Sequence, residues 1–489
     1  MRIGLIDSFF KSACLKWLTL ACLILGCGEL SSVALAQEPK TRPPNIIFIL
    51  ADDLGIGELG CYGQKKIKTP NLDQLASEGI RFTNHYAGAP VCACSRCALM
   101  TGKHMGHAQV RDNRELKPEG QFPLTENTIT LPHLLRSAGY STAAIGKWGL
   151  GGPGSSGDPM NQGFDLFFGY NCQRHAHNHY PTYFWRNRER VPIEGNFEKP
   201  TRGDECGKTY AQDLFDKEAI AFLNANKDRP FFLYCPYVIT HLALQVPQED
   251  LEEYKGKWED PPYLGGKSYL PHQYPRAAYA AMLAKLDRAV GKIVNEVKRL
   301  NLEENTLIIF SSDNGPTFDI GGADSNFFDS AQERRGRKGS LFEGGLRVPL
   351  IAKWPGKITP RSTSDMPSAL YDWLPTLCAV SGVKETPPNI DGVNLLSHLL
   401  GDQPPKREYL YWESPAGQQS QALRMGRWKG VRPNLKMNPE RLLLFDLEND
   451  FAESKDVSSK NPEIVKRIWE ILASEHVAST EFPLVIDQK

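Results

Sequence analysis

The chain has 489 residues, 41% hydrophobic and 23% charged, and its 57 basic and 57 acidic side chains balance to zero formal charge. This composition excludes an intrinsically disordered or collagen-like chain, and zero net charge removes any general attraction to nucleic acid. The length exceeds the roughly 250–300 residues at which a single core stops growing, so more than one domain is expected.

Residues 1–36 read as a targeting segment. Arg2, Lys11 and Lys16 precede the apolar run "WLTLACLILG", and Ala34-Leu35-Ala36 offers a small-x-small cut before Gln37. That is the layout of a secretory signal peptide. The run is shorter than the ~20 residues a membrane span needs, so no stable span is expected. "LILGC", ending at Cys27, is a weaker lipoprotein box and the alternative. Either way the body is expected outside the cytoplasm, secreted or periplasmic. There disulfides are permitted among Cys61, Cys92, Cys94, Cys97, Cys172, Cys206, Cys235 and Cys378, although sequence cannot pair them.

A Pro-rich linker, 37–44, leads into "NIIFILADDLG". The apolar run predicts a strand buried on both faces, with Asp52 and Asp53 at its carboxyl end. "TPNLDQLASEGI" predicts a helix, capped by Thr69 with Pro70 at its first position. "STAAIGKWG" and "PFFLYCPY" are further strand candidates, and Tyr279 to Leu300 carries apolar residues at helical spacing. "NTLIIFSSDNG" repeats the first pattern, a short strand ending at Asp313 and Asn314, and "LRVPLIAKW" follows. Strands alternating with helices predict an α/β fold over 45–400: a large, mostly parallel mixed sheet covered by helices on both faces. Beyond "GDQPPKRE" the pattern becomes short, turn-punctuated strands and one helix, "NPEIVKRIWEILASEH". Residues 401–489 are therefore expected to form a smaller C-terminal part with antiparallel strands and a helix.

In open α/β sheets ligands bind beyond the carboxyl ends of the strands, where both acidic tips are expected. Asp52, Asp53, Asp313 and Asn314 offer four oxygen donors and up to three negative charges. Such a set suits calcium or magnesium better than zinc; capping of turns or helices is the alternative for either pair alone. Between the tips in sequence lies "APVCACSRCALMTGKH", with three cysteines in sixteen residues. A zinc knot lacks a visible fourth ligand, and buried structural thiols are the plainest reading of any single cysteine.

The segment "VCACSRCALMTGK" resembles the signature of type I sulfatases, arylsulfatase-like members of the alkaline-phosphatase-like superfamily. "NIIFILADDLG", "TPNLDQLASEGIRFTNHYA", "GKWGLG", "GFDLFFGY", the histidine after "FFLYCPYVIT", "SSDNG" and "GRKGSLFEGGLRVP" stand where that family's pattern has them. The resemblance implies that a formylglycine-generating maturation enzyme oxidises Cys92 to formylglycine, which is hydrated to a geminal diol. A serine would be left as a stable sulfate ester, whereas the diol's second hydroxyl can expel sulfate by C–O cleavage and regenerate the aldehyde. Cys94 and Cys97 are then bystanders.

By the same resemblance Asp52, Asp53, Asp313, Asn314 and the modified Cys92 hold one divalent cation, Ca²⁺, acting as Lewis acid and template. Arg96 orients the diol, Lys147 and Lys338 contact the sulfate, and His241 protonates the leaving alcohol. His177 is expected to bind substrate. The implied activity is hydrolysis of sulfate esters, and export favours a sulfated polysaccharide or its fragments as partner. Two-metal phosphatases of the superfamily need further Asp and His ligand sets that the sequence does not show. A protein that binds sulfated glycans without maturation is the non-enzymatic alternative.

Two departures stand out. Cys94 occupies the position where the signature has Pro or Ala, inside the segment read by the maturing enzyme. Gly149 replaces the histidine of the familiar "GKWHLG", which can serve as the base that releases sulfate. His107, His175 and His177 are the candidates to replace it.

Overall fold

The computed structural model describes residues 42–266 and 269–488. The expected signal peptide, the Cys27 alternative and the linker up to Thr41 lie outside them.

Ten strands form the main sheet. They are β1 Asn45–Ala51, β2 Ile80–Phe82, β4 Ser141–Lys147, β5 Leu166–Tyr170, β6 Tyr183–Arg186, β7 Glu189–Pro192, β8 Phe231–Pro236, β9 Thr306–Ser312, β10 Leu350–Lys353 and β11 Ser362–Ser364. A short pair, β3 His85–Tyr86 and β12 Ser368–Ala369, stands apart. The spatial order is β11-β2-β10-β9-β1-β8-β4-β5-β6-β7. The central run from β9 to β5 is parallel throughout. Antiparallel pairing enters at β10, which "LRVPLIAKW" builds, and at the β6–β7 edge. The expected fold class is thus the observed one, a mixed sheet with a parallel centre.

Every residue of β1 is buried, because alternate side chains enter two separate cores. Ile46, Phe48 and Leu50 join the core on one face, and Ile47, Ile49 and Ala51 join the other. Helix α1 Pro70–Ser77 and the long helix Pro275–Arg299 pack on the second face. Helix α2 Cys92–Thr101 contributes to the first. The long helix begins four residues before the expected start, with Pro275 in its first turn. Its opening alanines carry no amphipathic period, so the pattern became visible only further along.

Four antiparallel strands follow, β13 Leu410–Ser414, β14 Ser420–Met425, β15 Trp428–Pro433 and β16 Leu443–Asp446. One face packs Tyr411, Leu423 and Leu444 against Ile468, Ile471 and Leu472 of the helix Pro462–Ser474. Trp412 and Ala422 join the first core, and Trp412 Nε1 donates to the Ala87 carbonyl at 2.9 Å. Among the described residues, no helix is long and apolar enough to cross a membrane.

Candidate active site

β1 and β9 are adjacent and parallel, with Ala51 opposite Ser312, so both acidic tips leave the same edge of the sheet side by side. The Asp313 N–H donates to the Ala51 carbonyl at 3.1 Å, and the Asp53 N–H reaches Asp313 Oδ1 at 3.3 Å. Asp53 has φ 63°, the left-handed region that Asp tolerates better than most residues. The bend turns successive carboxylates into one pocket.

Cys92 is the first residue of α2, and its Sγ lies 3.3 Å from Asp52 Oδ1. The other Asp52 oxygen accepts from Lys147 Nζ at 2.6 Å and from Arg96 Nη2 at 3.1 Å. Arg96, one turn along α2, also donates from Nε and Nη2 to Asp313 Oδ2 at 3.0 and 2.8 Å, and from Nη1 to the Lys147 carbonyl. Lys338 Nζ sits 2.8 Å from Asp53 Oδ1. Its loop is pinned to the start of α2 by the Gly339 N–H, which donates to the Pro90 carbonyl at 2.8 Å. His241 places Nε2 3.7 Å from Asp53 Oδ2, while its Nδ1 faces the Leu242 carbonyl at 2.6 Å. Asp52, Asp53, Cys92 and His241 bring their ligand atoms within 4.8 Å of one another.

Three buried carboxylates face two buried cations, Arg96 and Lys147, and the partly exposed Lys338. Burial pushes the Asp52 carboxyl upward, but Lys147, His241, Arg96 and Lys338 outweigh it and hold Asp52 well below the usual carboxylate range. Burial and the Asp52 charge push Asp313 up to about 6 against Arg96 and Lys147. The Cys92 thiol is pushed up to about 12, first by burial and then by Asp52. An unmodified Cys92 is therefore a protonated thiol at neutral pH and a poor nucleophile.

The donor set fits a hard divalent cation. Asn314 Nδ2 donates to Asp53 Oδ1 at 2.7 Å, yet its Oδ1 is buried with no hydrogen-bond partner among the described residues. An orphaned acceptor beside three carboxylates is the environment an oxygen-seeking cation requires. Cys94 and Cys97 point elsewhere. Both are fully buried in the first apolar core, and the Cys94 thiol donates to the Val91 carbonyl at 3.2 Å.

The histidines nominated to replace the missing one separate clearly. His177 stacks on His241, ring centroids 4.7 Å apart, and so belongs to the site. His175 stacks instead on Tyr183 at 4.3 Å. His107 bonds Asp391 at 2.9 Å in a second cluster with His104 and Glu475. Gly149 itself has φ +82°, and a Cβ built on it would overlap the amide nitrogen of Gln173. Sequence reading missed Gln173, because only the shortened side chain at 149 hinted that something else fills that space. It also left out Asn113, whose Oδ1 accepts from the Ala93 N–H at 3.0 Å and so fixes the start of α2.

The Sulfatase family model matches residues 44–383, about 70% of the chain. The chain belongs to the sulfatase family, enzymes that hydrolyse sulfuric esters. In this sulfatase a second model, N-sulphoglucosamine sulphohydrolase, C-terminal, matches residues 336–477. N-acetylgalactosamine-6-sulfatase of Canis lupus familiaris is 32% identical, covering 82% of this chain and 74% of the relative. N-acetylgalactosamine-6-O-sulfatase of Bacteroides thetaiotaomicron is 30% identical, covering 92% and 96%. Among solved structures, Ps i-CgsB in complex with k-i-k-neocarrahexaose matches the sulfatase with TM-score 0.75 and 28% identity, covering 91% of this chain and 96% of that one.

Proposed function

We propose that this sulfatase is exported and removes sulfate esters from a sulfated polysaccharide or its oligosaccharides, through a formylglycine made from Cys92 and with one Ca²⁺ in the acidic pocket. The observation that carries the reading is the position of Cys92 Sγ, 3.3 Å from Asp52 Oδ1 where three carboxylates and three cations converge. Relatives named N-acetylgalactosamine-6-sulfatase and N-acetylgalactosamine-6-O-sulfatase, and a structural neighbour in complex with k-i-k-neocarrahexaose, support the carbohydrate class.

Asp52, Asp53, Asp313 and Asn314 would hold the cation, which when bound supplies Lewis-acid polarisation of a sulfate oxygen. Formylglycine, once hydrated, would supply two hydroxyls on one carbon, one to attack sulfur and one to drive release. The chain's own residues do the remaining work. Arg96, locked between Asp52 and Asp313, fixes the orientation of the side chain at 92. Lys147 and Lys338 place two ammonium groups in the pocket, one on Asp52 and one on Asp53. Preorganised cations of this kind stabilise the charge that develops on a transferring anionic group. His241 places Nε2 3.7 Å from Asp53 Oδ2, and His177 stacks on its ring. Their imidazoles are proton-handling groups at the pocket, and Gly149 contributes none.

The test is hydrolysis by full-length protein co-produced with a formylglycine-generating enzyme and supplied with CaCl₂. Release of 4-nitrophenol from 4-nitrophenyl sulfate, at least a hundredfold faster than from 4-nitrophenyl phosphate, is the expected result. Preference for the phosphate would overturn the sulfate assignment.

A further inference from the structure

The space that Gly149 leaves is filled, and what fills it is chemically informative. Gly149 lies two residues beyond Lys147, whose ammonium sits on Asp52. Lys147 pairs in register with Tyr170, the last residue of β5. From there the chain passes through Gln173 and returns to the site at His177, stacked on His241. Gln173 is thus held between two fixed points of the active site, with its amide lying against the Gly149 backbone.

That amide has no partner. Gln173 is only 6% exposed, and neither Nε2 nor Oε1 makes a hydrogen bond among the described residues. Asn171 Oδ1, two residues earlier, is buried and unpaired as well. A buried amide left unsatisfied is costly, and a water or a bound ligand that accepts from it relieves that cost. Lys147, two residues before Gly149, and Lys338 select an anionic group in the acidic pocket, and an amide N–H can donate to its oxygens.

We propose that Gln173 is a sulfate-binding residue, its Nε2 donating to an oxygen of the substrate's sulfate group, and that Gly149 is required because any side chain there would displace this amide. The two positions form a pair: the loop after β4 gives up its side chain and the loop after β5 supplies a neutral hydrogen-bond donor in its place. The inference rests on the sulfatase reading, since it names the anion as sulfate. It adds a residue that no sequence motif marks.

The experiment compares wild type, Gln173→Ala, Gln173→Glu and Gly149→Ala in the full-length chain. Affinity for inorganic sulfate is measured by calorimetry on the unmatured Cys92 form in CaCl₂. kcat and KM on 4-nitrophenyl sulfate are measured on the matured form, with melting temperature recorded for each. Gln173→Ala is expected to weaken sulfate binding about tenfold and to lower kcat/KM at least as much. Gln173→Glu, which keeps the volume but turns a carboxylate toward the anion, is expected to lose more than Gln173→Ala. Gly149→Ala is expected to copy Gln173→Ala, because it pushes the amide aside. Sulfate affinity and kcat/KM within twofold of wild type in both folded Gln173 variants would overturn the proposal, as would a loss confined to melting temperature. A wild type that hydrolyses no sulfate ester would overturn the sulfatase reading alone, and the sulfate isotherms would still decide the role of Gln173.

Discussion

Cys92 and Lys147 share one carboxylate: the thiol faces Asp52 Oδ1 at 3.3 Å while the ammonium holds Oδ2 at 2.6 Å. The side chain at 92 is therefore positioned before any substrate arrives, against a carboxylate that a buried lysine keeps ionised. Cys92→Ala and Cys92→Ser are both expected to lower kcat by about a thousandfold or more, with melting temperatures near that of wild type. The serine variant discriminates most sharply, because a hydroxyl alone would suffice if only a simple oxygen nucleophile were needed. A serine enzyme with wild-type turnover would show that the second hydroxyl is dispensable.

The orphaned Oδ1 of Asn314 makes the cation testable apart from turnover. Asn314→Ala and Asp313→Asn are each expected to weaken Ca²⁺ affinity tenfold or more, as read by calorimetry on the unmatured protein. Chelation followed by CaCl₂ should abolish and then restore activity of the matured enzyme. Unchanged Ca²⁺ binding in both variants would place the ion elsewhere.

Cys94 is fully buried and spends its thiol hydrogen on the Val91 carbonyl, so its side chain makes no contact that the pocket needs. Cys94→Ala is expected to raise the fraction of chains carrying formylglycine at 92 when the maturing enzyme is limiting. Per matured active site, kcat should be unchanged. Peptide mass spectrometry normalised to sulfate release separates the two quantities.

Lys429 on β15 is buried between Glu343 at 2.8 Å and Glu453 at 3.1 Å, tying the four-stranded sheet to the short helix Glu343–Leu346 before β10. Lys429→Met leaves Glu453 without its cation, while Glu343 keeps Arg347 at 2.7 Å, and is expected to lower stability by about 3 kcal/mol in denaturant unfolding. A change below 1 kcal/mol would mean the cluster relaxes at little cost.

The second histidine cluster sets an acid limit on stability. Glu475 is held down to about 2, first by its hydrogen bond with His104 and then by Tyr409 and the imidazole charges, against the upward push of burial. A depressed carboxylate stabilises the fold above its ordinary value near 4.5 and loses that contribution as pH falls toward 2. Glu475→Gln is expected to flatten the decline of melting temperature across this window and to leave the neutral-pH fold assembled. His107 is raised by its bond to Asp391 and then by charge, against burial, so its contribution is present at low pH and fades as pH rises through its shifted value. Equal acid slopes in wild type and Glu475→Gln would remove the cluster from acid unfolding.

Much of this site was legible in the sequence because parallel strands deliver their carboxyl ends to one edge. Asp52 and Asp313 could be assigned to strand tips by local pattern alone, and adjacency of β1 and β9 then brought them together. The roles of Gly149 and the histidines were not legible in the same way. Gln173 reaches Gly149 only because β4 and β5 are neighbours, and His107 is drawn from the pocket by Asp391 and Glu475, both far along the chain. Such partners are chosen by packing between elements, which periodicity within one element cannot register.

The most direct measurement is the mass of the tryptic peptide containing Cys92, taken from full-length protein made in its native host. Exchange of sulfur for oxygen with loss of two hydrogens, in a fraction that tracks sulfatase activity across preparations, is the expected result. A preparation that hydrolyses sulfate esters while every copy of that peptide still carries a thiol would contradict it.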